Sequence, residues 1–345
     1  MINVIERQDI FGYTRDELTE MFEKMGEKKF RAEQMMKWLY RHRVRDFEFM
    51  TDISIPLRAK LARDYSIGRL EIADILESKD KTAKFLFKLE DDYNIESVRI
   101  PTEERETACI SSQVGCLLGC RFCATASMGF KRNLSSNEII GQFIGMEESL
   151  ETSFSNVVFM GMGEPMLNLD EVIKAIEILI DDCAIGLGHR KIVVSTVGIP
   201  EKIETLRKTE LKPRLAISLN APNEKIRKSL MPKASAIASI DNILNSASEY
   251  SIHTARWFTI EYVLIKSVND SIEQAMELSR LIKDRPCKVN LIRHNRIENC
   301  PFNAPSQETA IEFMSTLLSE GITATIRESR GEADSAACGQ LATKV

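Results

Sequence analysis

The sequence predicts an α/β protein: a part-barrel of six βα units with a small helical accessory domain before it. Three observations predict this. Strand-like and helix-like segments alternate from about residue 105 to the end. Repeated βα units imply a parallel sheet with covered faces, and about six of them suit a barrel or part-barrel. The first ~90 residues instead show helical apolar spacing, and 345 residues that are 43% hydrophobic and 28% charged are ordinary globular material with enough apolar content for a large core.

In chain order, helical spacing covers Arg15–Met25, Ala32–Arg41 and Ile55–Asp64, and short strands follow at Ala83–Leu89 and Ile95–Ile100. The alternating series then offers strands at Thr107–Ser112, Asn156–Met160, Lys191–Thr196, Arg214–Leu219, Phe258–Leu264, Lys288–Ile292 and Thr323–Arg327. Between them lie helices such as Ser136–Ser149, Leu169–Asp182, Ser239–Tyr250, Ser271–Lys283 and Gln307–Glu320, the first preceded by Ser135 as a helix cap. The organisation expected is residues 1–90 as an N-terminal helical unit with its linker strand, 102–333 as the barrel core, and 334–345 as a C-terminal segment.

Composition narrows the function classes. No run approaches the ~18 apolar residues of a membrane helix, and the charged N-terminus lacks a secretory signal's apolar core, so a cytoplasmic protein without a membrane partner is expected. Net charge is −5, so any nucleic-acid contact needs a local basic face. Residues 28–45 offer one, with seven Lys/Arg against the single acid Glu33; the plainer reading is the solvated face of two helices. Eight cysteines in such a protein point to metal binding or catalysis rather than to disulfide staples.

The strongest chemical signal is the run from Gly115 to Cys123, which sets Cys116, Cys120 and Cys123 in a C-x3-C-x2-C loop after the first strand of the series. Three thiolates this close can hold three irons of a four-iron cluster. Clusters normally take four cysteines, so one iron is left open to a small chelating ligand. Structural zinc is the competing reading, but zinc wants four closed ligands; Cys109 is the one nearby candidate for a fourth, and the next histidine beyond the loop is His189. The motif, with Phe122 before its last cysteine, resembles the signature of the radical S-adenosylmethionine superfamily. The resemblance implies that these cysteines ligate a [4Fe-4S] cluster. Its open iron would chelate S-adenosylmethionine, whose reductive cleavage gives a 5′-deoxyadenosyl radical.

A second element, Gly161-Met-Gly163-Glu164-Pro165, follows the strand at 156–160. Most such glycine pairs are turns, but at this position it resembles the superfamily's Gly-Gly-Glu-Pro motif, which assigns Gly163 and Glu164 to the methionine end of the cofactor. Ser195, then Ser218, Leu219 and Asn220, and then Asn295 follow later strands. Each alone is more often a cap or turn former; at strand ends, where a barrel's active face lies, they become candidate cofactor contacts.

Longer segments extend the likeness: Cys109-Ile-Ser-Ser-Gln113, Asn133 to Gln142, Phe159 to Pro165, Ala336-Ala-Cys338-Gly-Gln340, and Phe30 to Gln34 with Trp38-Leu-Tyr40. They resemble the RlmN/Cfr family of RNA methyltransferases, co-linearly from about residue 10 onward, with Pro165 nearer the RlmN branch. The resemblance implies methylation of adenine C2 in 23S rRNA at the peptidyl transferase centre, and of the adenine 3′ to the anticodon in some tRNAs. Adenine C2 is too poor a nucleophile to take a methyl group by displacement, whereas a thiolate accepts one readily. Cys338 is thus implied as the methyl carrier and Cys109 as the thiol that releases the product, leaving a transient Cys109–Cys338 disulfide. Two S-adenosylmethionines per turnover, one cluster per chain, an external electron donor such as flavodoxin and a monomeric enzyme complete the implied picture.

The implied proton acceptor is Glu96. Period-two alternation puts it on one strand face with Val98 and Ile100; a carboxylate on an apolar face suits proton transfer, and an exposed edge-strand glutamate is the bland alternative. Trp38, Tyr40 and the arginines beside them are candidate RNA contacts, since RNA bases splayed from loops stack on aromatic rings.

Four places depart from the family pattern: Asn220 stands where His is usual, Asn295 lies in Arg293-His-Asn-Arg296, residues 231–236 are Ala-rich, and 330–334 read Arg-Gly-Glu-Ala-Asp. Two alternatives stay open on sequence grounds: a Cfr-like adenine-C8 methyltransferase, and a zinc-stabilised RNA-binding protein without catalysis.

Overall fold

The computed structural model describes residues 7–328, 330–331 and 335–343; residues 332–334 of the departing 330–334 run lie outside it. Ten strands form one sheet in linear order. Strands β1 (Glu71–Glu77), β2 (Ala83–Lys88) and β3 (Asn94–Pro101) make an antiparallel meander, and β3 pairs antiparallel with β4 (Glu106–Cys109). From β4 onward every pairing is parallel: β5 (Asn156–Phe159), β6 (Ile192–Thr196), β7 (Arg214–Ser218), β8 (Phe258–Leu264), β9 (Cys287–Arg293) and β10 (Ala324–Arg327). The part-barrel is therefore six βα units and a final strand. It stays open, because the far edges are β10 and β1.

Buried parallel strands usually read as unbroken apolar runs, but these alternate. In Asn156–Phe159, Val157 and Phe159 are buried under the helices while Asn156 and Val158 are half-buried. In Phe258–Leu264 the sequestered set is Phe258, Ile260, Tyr262 and Leu264. Their neighbours Thr259 and Glu261 line a lumen together with Ile100, Val158, Val193, Asn290 and Thr325. One cavity lined from β3 through β10 shows that the sheet curls around a polar interior. Within it Asn290 Nδ2 donates to Glu261 Oε2 at 2.7 Å.

Helices cover the outer face, and serine caps set where they begin. Ser135 and Glu138 form a capping box for Ser136–Leu150, as do Ser271 and Gln274 for Ile272–Ile282. Ser239 caps Ile240–Thr254 and Ser306 caps Gln307–Ser319. Among the described residues, no helix is long and apolar enough to cross a membrane.

The N-terminal helices are Arg15–Lys24, Phe30–Met36 and Ile55–Asp64; the second continues through Lys37–Arg41 as a π-helical turn. This turn sits in the basic stretch, three of whose seven Lys/Arg side chains dock the N-terminal unit on the barrel. Arg43 pairs with the buried Glu147, and Arg45 with Glu148 at 2.8 Å. Arg41 donates to the carbonyls of Asp182 and Ala184. Tyr40 is buried, its hydroxyl donating to Tyr13 O and accepting from Gly12 N–H. Trp38 donates from Nε1 to Asp52 Oδ1 at 2.5 Å and packs against His42. Of the aromatic pair expected to meet RNA, Tyr40 is thus engaged inside the fold, while Trp38 stays half-buried. Lys28 and Lys37 have no carboxylate partner among the described residues.

Candidate active site

The three loop cysteines arrive at one place because the chain is pinched on both sides of them. Gln113–Gly115 pairs antiparallel with Phe130–Asn133, and Cys116 N–H donates to Gly129 O at 3.0 Å. Gly115 has φ +71°, and a Cβ there would stand 1.8 Å from Gly129 O. Only glycine fits that crossing. Cys123 N–H donates to Cys120 O at 3.2 Å, and the short helix Ala124–Ser127 follows.

Cys116, Cys120 and Cys123 line a cleft at the C-terminal ends of the strands with Gly163, Glu164, Ser195, Ser218, Asn220, Asn295 and Cys338. It encloses about 1020 Å³, counting the solvent at its open side. The cavity proper is about 150 Å³ and opens to solvent at its mouth. Phe122, buried beside the loop, screens it from water.

Glu164 is buried and its carboxylate accepts from Val197 N–H at 3.0 Å and Met166 N–H at 3.1 Å. Burial pushes its pKa up to about 6 against the pull of those bonds and of Thr196. Gly163, at φ +99°, brings its backbone so close to Gln113 that a Cβ would lie 2.5 Å from that side chain. Ser195 and Ser218 share a hydroxyl–hydroxyl hydrogen bond of 3.2 Å across neighbouring strands. Asn220 takes a left-handed conformation at φ +58°, which Asn tolerates well. Its Oδ1 accepts from Val263 N–H at 2.9 Å, so it organises the loop whether or not it meets a ligand. Leu219 is the expected contact that the cleft does not include. Its side chain is fully buried, and its N–H goes to Ile217 O and Glu261 O.

Two further cysteines lie close to one another here, and of the two Cys338 lines the cleft. Cys338 opens onto the cleft rather than onto bulk water, and the protein packed around it raises its thiol pKa. Cys109, on β4, is buried, which pushes its pKa up to about 12, with the nearby Cys338 adding to the shift. Asn295, expected on the cofactor, donates from Nδ2 to Cys338 O at 2.9 Å. The Cys338 segment also leans on the loop helix: Ala124 N–H donates to Gly339 O at 2.7 Å and Thr125 Oγ1 to Leu341 O at 2.6 Å.

Glu96 lies in an adjoining cleft rather than among these groups. Its strand β3 pairs Val98 with Cys109, so Glu96 is two residues along the same face. That face is not wholly apolar, as expected from the strand alone. Lys84 on β2 pairs with Val98, diagonal to Glu96, and its Nζ reaches Glu96 Oε1 at 3.0 Å. Sequence reasoning missed Lys84 because its meaning depends on the β2–β3 register. It also missed His294, which lines the cleft, and Glu261, whose signal was a charge inside the apolar strand 258–264.

The donor set suits a [4Fe-4S] cluster with S-adenosylmethionine. Burial pushes the Cys116 pKa up to about 12 and raises that of Cys120 well above the ordinary thiol value, so both stay protonated until a metal displaces the proton. Arg227, completely buried, has Nε and Nη1 without partners, and of its guanidinium nitrogens only Nη2 donates, to Val197 O at 2.6 Å. No carboxylate lies within ion-pair distance of it among the described residues, and Cys120 is one of the two groups whose charge acts on it. An anionic metal–thiolate group would satisfy that cation. Glu164, Ser195 and Ser218 sit within the same cleft, as a carboxylate and hydroxyls that can bind an amino acid and a ribose.

Comparison with known proteins agrees with this geometry. Residues 8–67 match the ribosomal RNA large subunit methyltransferase N-terminal domain, and residues 110–279 match the radical SAM superfamily. The chain is 44% identical over 342 residues to the dual-specificity RNA methyltransferase RlmN of Syntrophus aciditrophicus, covering 99% of this chain and 98% of that one. It is 43% identical over 342 residues to a probable RlmN of Chlorobium phaeobacteroides, covering 96% and 94%. The crystal structure of a radical SAM methyltransferase from Sphaerobacter thermophilus superimposes with a TM-score of 0.90 at 38% identity, covering 97% of this chain and 99% of that one. Likeness of this extent, running through both the N-terminal unit and the cysteine loop, establishes that the chain belongs to the RlmN family of radical S-adenosylmethionine RNA methyltransferases.

Proposed function

We propose that this protein methylates C2 of an adenine in 23S rRNA, and of the adenine 3′ to the anticodon in some tRNAs, with Cys338 as the methyl carrier. The observation that carries the reading is the single cleft shared by Cys338 and the three loop cysteines, with Cys109 near enough for the two thiols to act on each other electrostatically. Cys116, Cys120 and Cys123 hold the cluster, and Glu164, Ser195 and Ser218 hold S-adenosylmethionine. When bound, these groups supply a methyl group to the Cys338 sulfur and, from a second S-adenosylmethionine, a radical that takes one hydrogen from it.

The residues of the chain do the rest. Cys338 Sγ carries the one-carbon unit to C2 and stays linked to the base. Aromaticity returns when C2 gives its proton to Glu96 and the odd electron passes to a one-electron acceptor, a part that an oxidised iron–sulfur cluster held by Cys116, Cys120 and Cys123 would play. Cys109 then attacks Cys338 Sγ. The sulfur–carbon bond breaks, the carbon takes up a proton matching the one Cys109 gives up, and a Cys109–Cys338 disulfide forms. Two electrons and two protons from an external donor restore the thiols. Cys109, held as a thiol by burial, stays quiet until the linked sulfur is presented to it. The Asn295 bond to Cys338 O fixes where the carrier sits.

The test is anaerobic reconstitution, reaction with 23S rRNA fragments and tRNA under reducing conditions, and mass spectrometry of the digested RNA. The proposal expects 2-methyladenosine from both substrates. Only 8-methyladenosine, or none, would defeat it.

A further inference from the structure

The carrier segment is anchored by charged residues that lie outside the cofactor cleft. Ala342 N–H donates to Glu96 Oε2 at 2.9 Å, and Lys84 Nζ donates to Ser335 O at 3.3 Å. Cys338 lies between those two points. Lys84 and Glu96 are bonded to each other at 3.0 Å, their side chains 16% and 6% exposed. One ion pair thus grips both flanks of the segment bearing the reactive sulfur. The segment itself, Ser335–Thr343, has no charged side chain to offer in return.

We propose that Lys84 and Glu96 form a clasp on the Cys338 segment, with Lys84 as the positioning residue that holds the Glu96 carboxylate closed on the Ala342 amide. This deepens, and rests on, the role proposed above for Glu96 as proton acceptor. A carboxylate accepts an N–H bond about twice as strongly as a neutral acid. The proton that Glu96 takes from C2 therefore weakens its hold on Ala342 and its attraction to Lys84 in one event. The clasp loosens once the base has been deprotonated, which lets the Cys338 segment shift at the stage when its linked sulfur is presented to Cys109. Proton transfer and product release are coupled through a hydrogen bond to the backbone.

The other charged groups of this cleft are Asp74 on β1 and, on the loop after β9, Arg296 and Glu298. Neither loop residue nor Asp74 forms an ion pair with Lys84 or Glu96 among the described residues, so removing Lys84 leaves Glu96 without a paired cation.

Two readouts on the full-length protein test the clasp: hydrogen–deuterium exchange of the peptide spanning residues 335–343, and the split between kcat and KM in RNA methylation. In Lys84→Met, exchange is expected to quicken roughly tenfold, the worth of one hydrogen bond to a charged group. The kcat should fall roughly tenfold with the KM for RNA unchanged, because the carrier segment is no longer held in register. Lys84→Arg keeps the charge and returns both toward wild type, which separates the clasp from a general packing defect. Wild-type exchange or a wild-type kcat in Lys84→Met overturns the proposal, as does an equal defect in both variants. Should the wild-type protein methylate no RNA, the functional reading fails, while the exchange measurement still reports on the clasp.

Discussion

Arg227 places a fully buried guanidinium beside the cluster loop with two of its nitrogens unpaired. An unpaired buried charge costs several kcal/mol, so the cluster-free fold carries a penalty that an anionic group at the loop removes. Arg227→Met should therefore unfold at the same or a higher temperature than wild type when both lack iron, yet retain less iron and sulfide after anaerobic reconstitution. Melting curves and metal analysis check the two halves. Glu164 gives a pH dependence. Its pKa, raised to about 6 by burial, lies above the ~4.3 of a free glutamate. The protonated form is the one the fold favours, so its contribution to stability is present below the unfolded value and is lost as pH rises to about 6. Binding of an ammonium group runs the other way, because it needs the carboxylate. Calorimetry of S-adenosylhomocysteine with the reconstituted protein should show affinity climbing from pH 5 to pH 7.5. Glu164→Gln should bind weakly with that rise removed.

At the scale of elements, the loop between Gly115 and Gly129 shows which glycines are required. A Cβ on Gly115 collides with backbone at 1.8 Å, whereas one on Gly129, at φ +67°, meets nothing within 4 Å. Gly129→Ala should cost about 1–2 kcal/mol, the left-handed backbone penalty alone. Gly115→Ala should open the hairpin and lose the cluster; urea unfolding and iron content separate the two. The βα series was legible because apolar alternation marks its strands and serines cap four of its helices; Phe258–Leu264, and Ile55–Asp64 in the N-terminal unit, have the bounds their patterns predict. Strand β1 was not legible. Its residues are almost all exposed, so no alternation marks it, and only its pairing with β2 defines it. The cysteine loop could be read directly because its ligands are adjacent in sequence. The Lys84–Glu96 pair could not, since strand register creates it.

Across the whole molecule, the basic stretch at 28–45 changes meaning. Sequence offers a charge run for RNA, while the structure commits Arg41, Arg43 and Arg45 to the barrel and buries Tyr40. Glu147, the partner of Arg43, is buried and its pKa is raised by desolvation, with the Phe154 N–H and Arg43 opposing the shift. Breaking a buried pair from one side leaves a bare charge and typically costs 3–5 kcal/mol. Arg43→Met should lose about 3 kcal/mol of unfolding free energy in a urea titration, and Arg45→Met, whose partner Glu148 is less enclosed, under about 1 kcal/mol. Proper seating of the N-terminal unit positions whatever RNA-facing surface it carries, so Arg43→Met should also raise the KM for RNA.

The account depends most on the sulfur of Cys338 joining RNA and Cys109 releasing it. Mass spectrometry of the Cys109→Ala protein after anaerobic reaction with RNA tests this directly. The account predicts a stable enzyme–RNA species whose nuclease-trimmed remnant is an adenine joined through one carbon to Cys338. Free methylated RNA at the wild-type rate, with Cys338 unmodified, would contradict it.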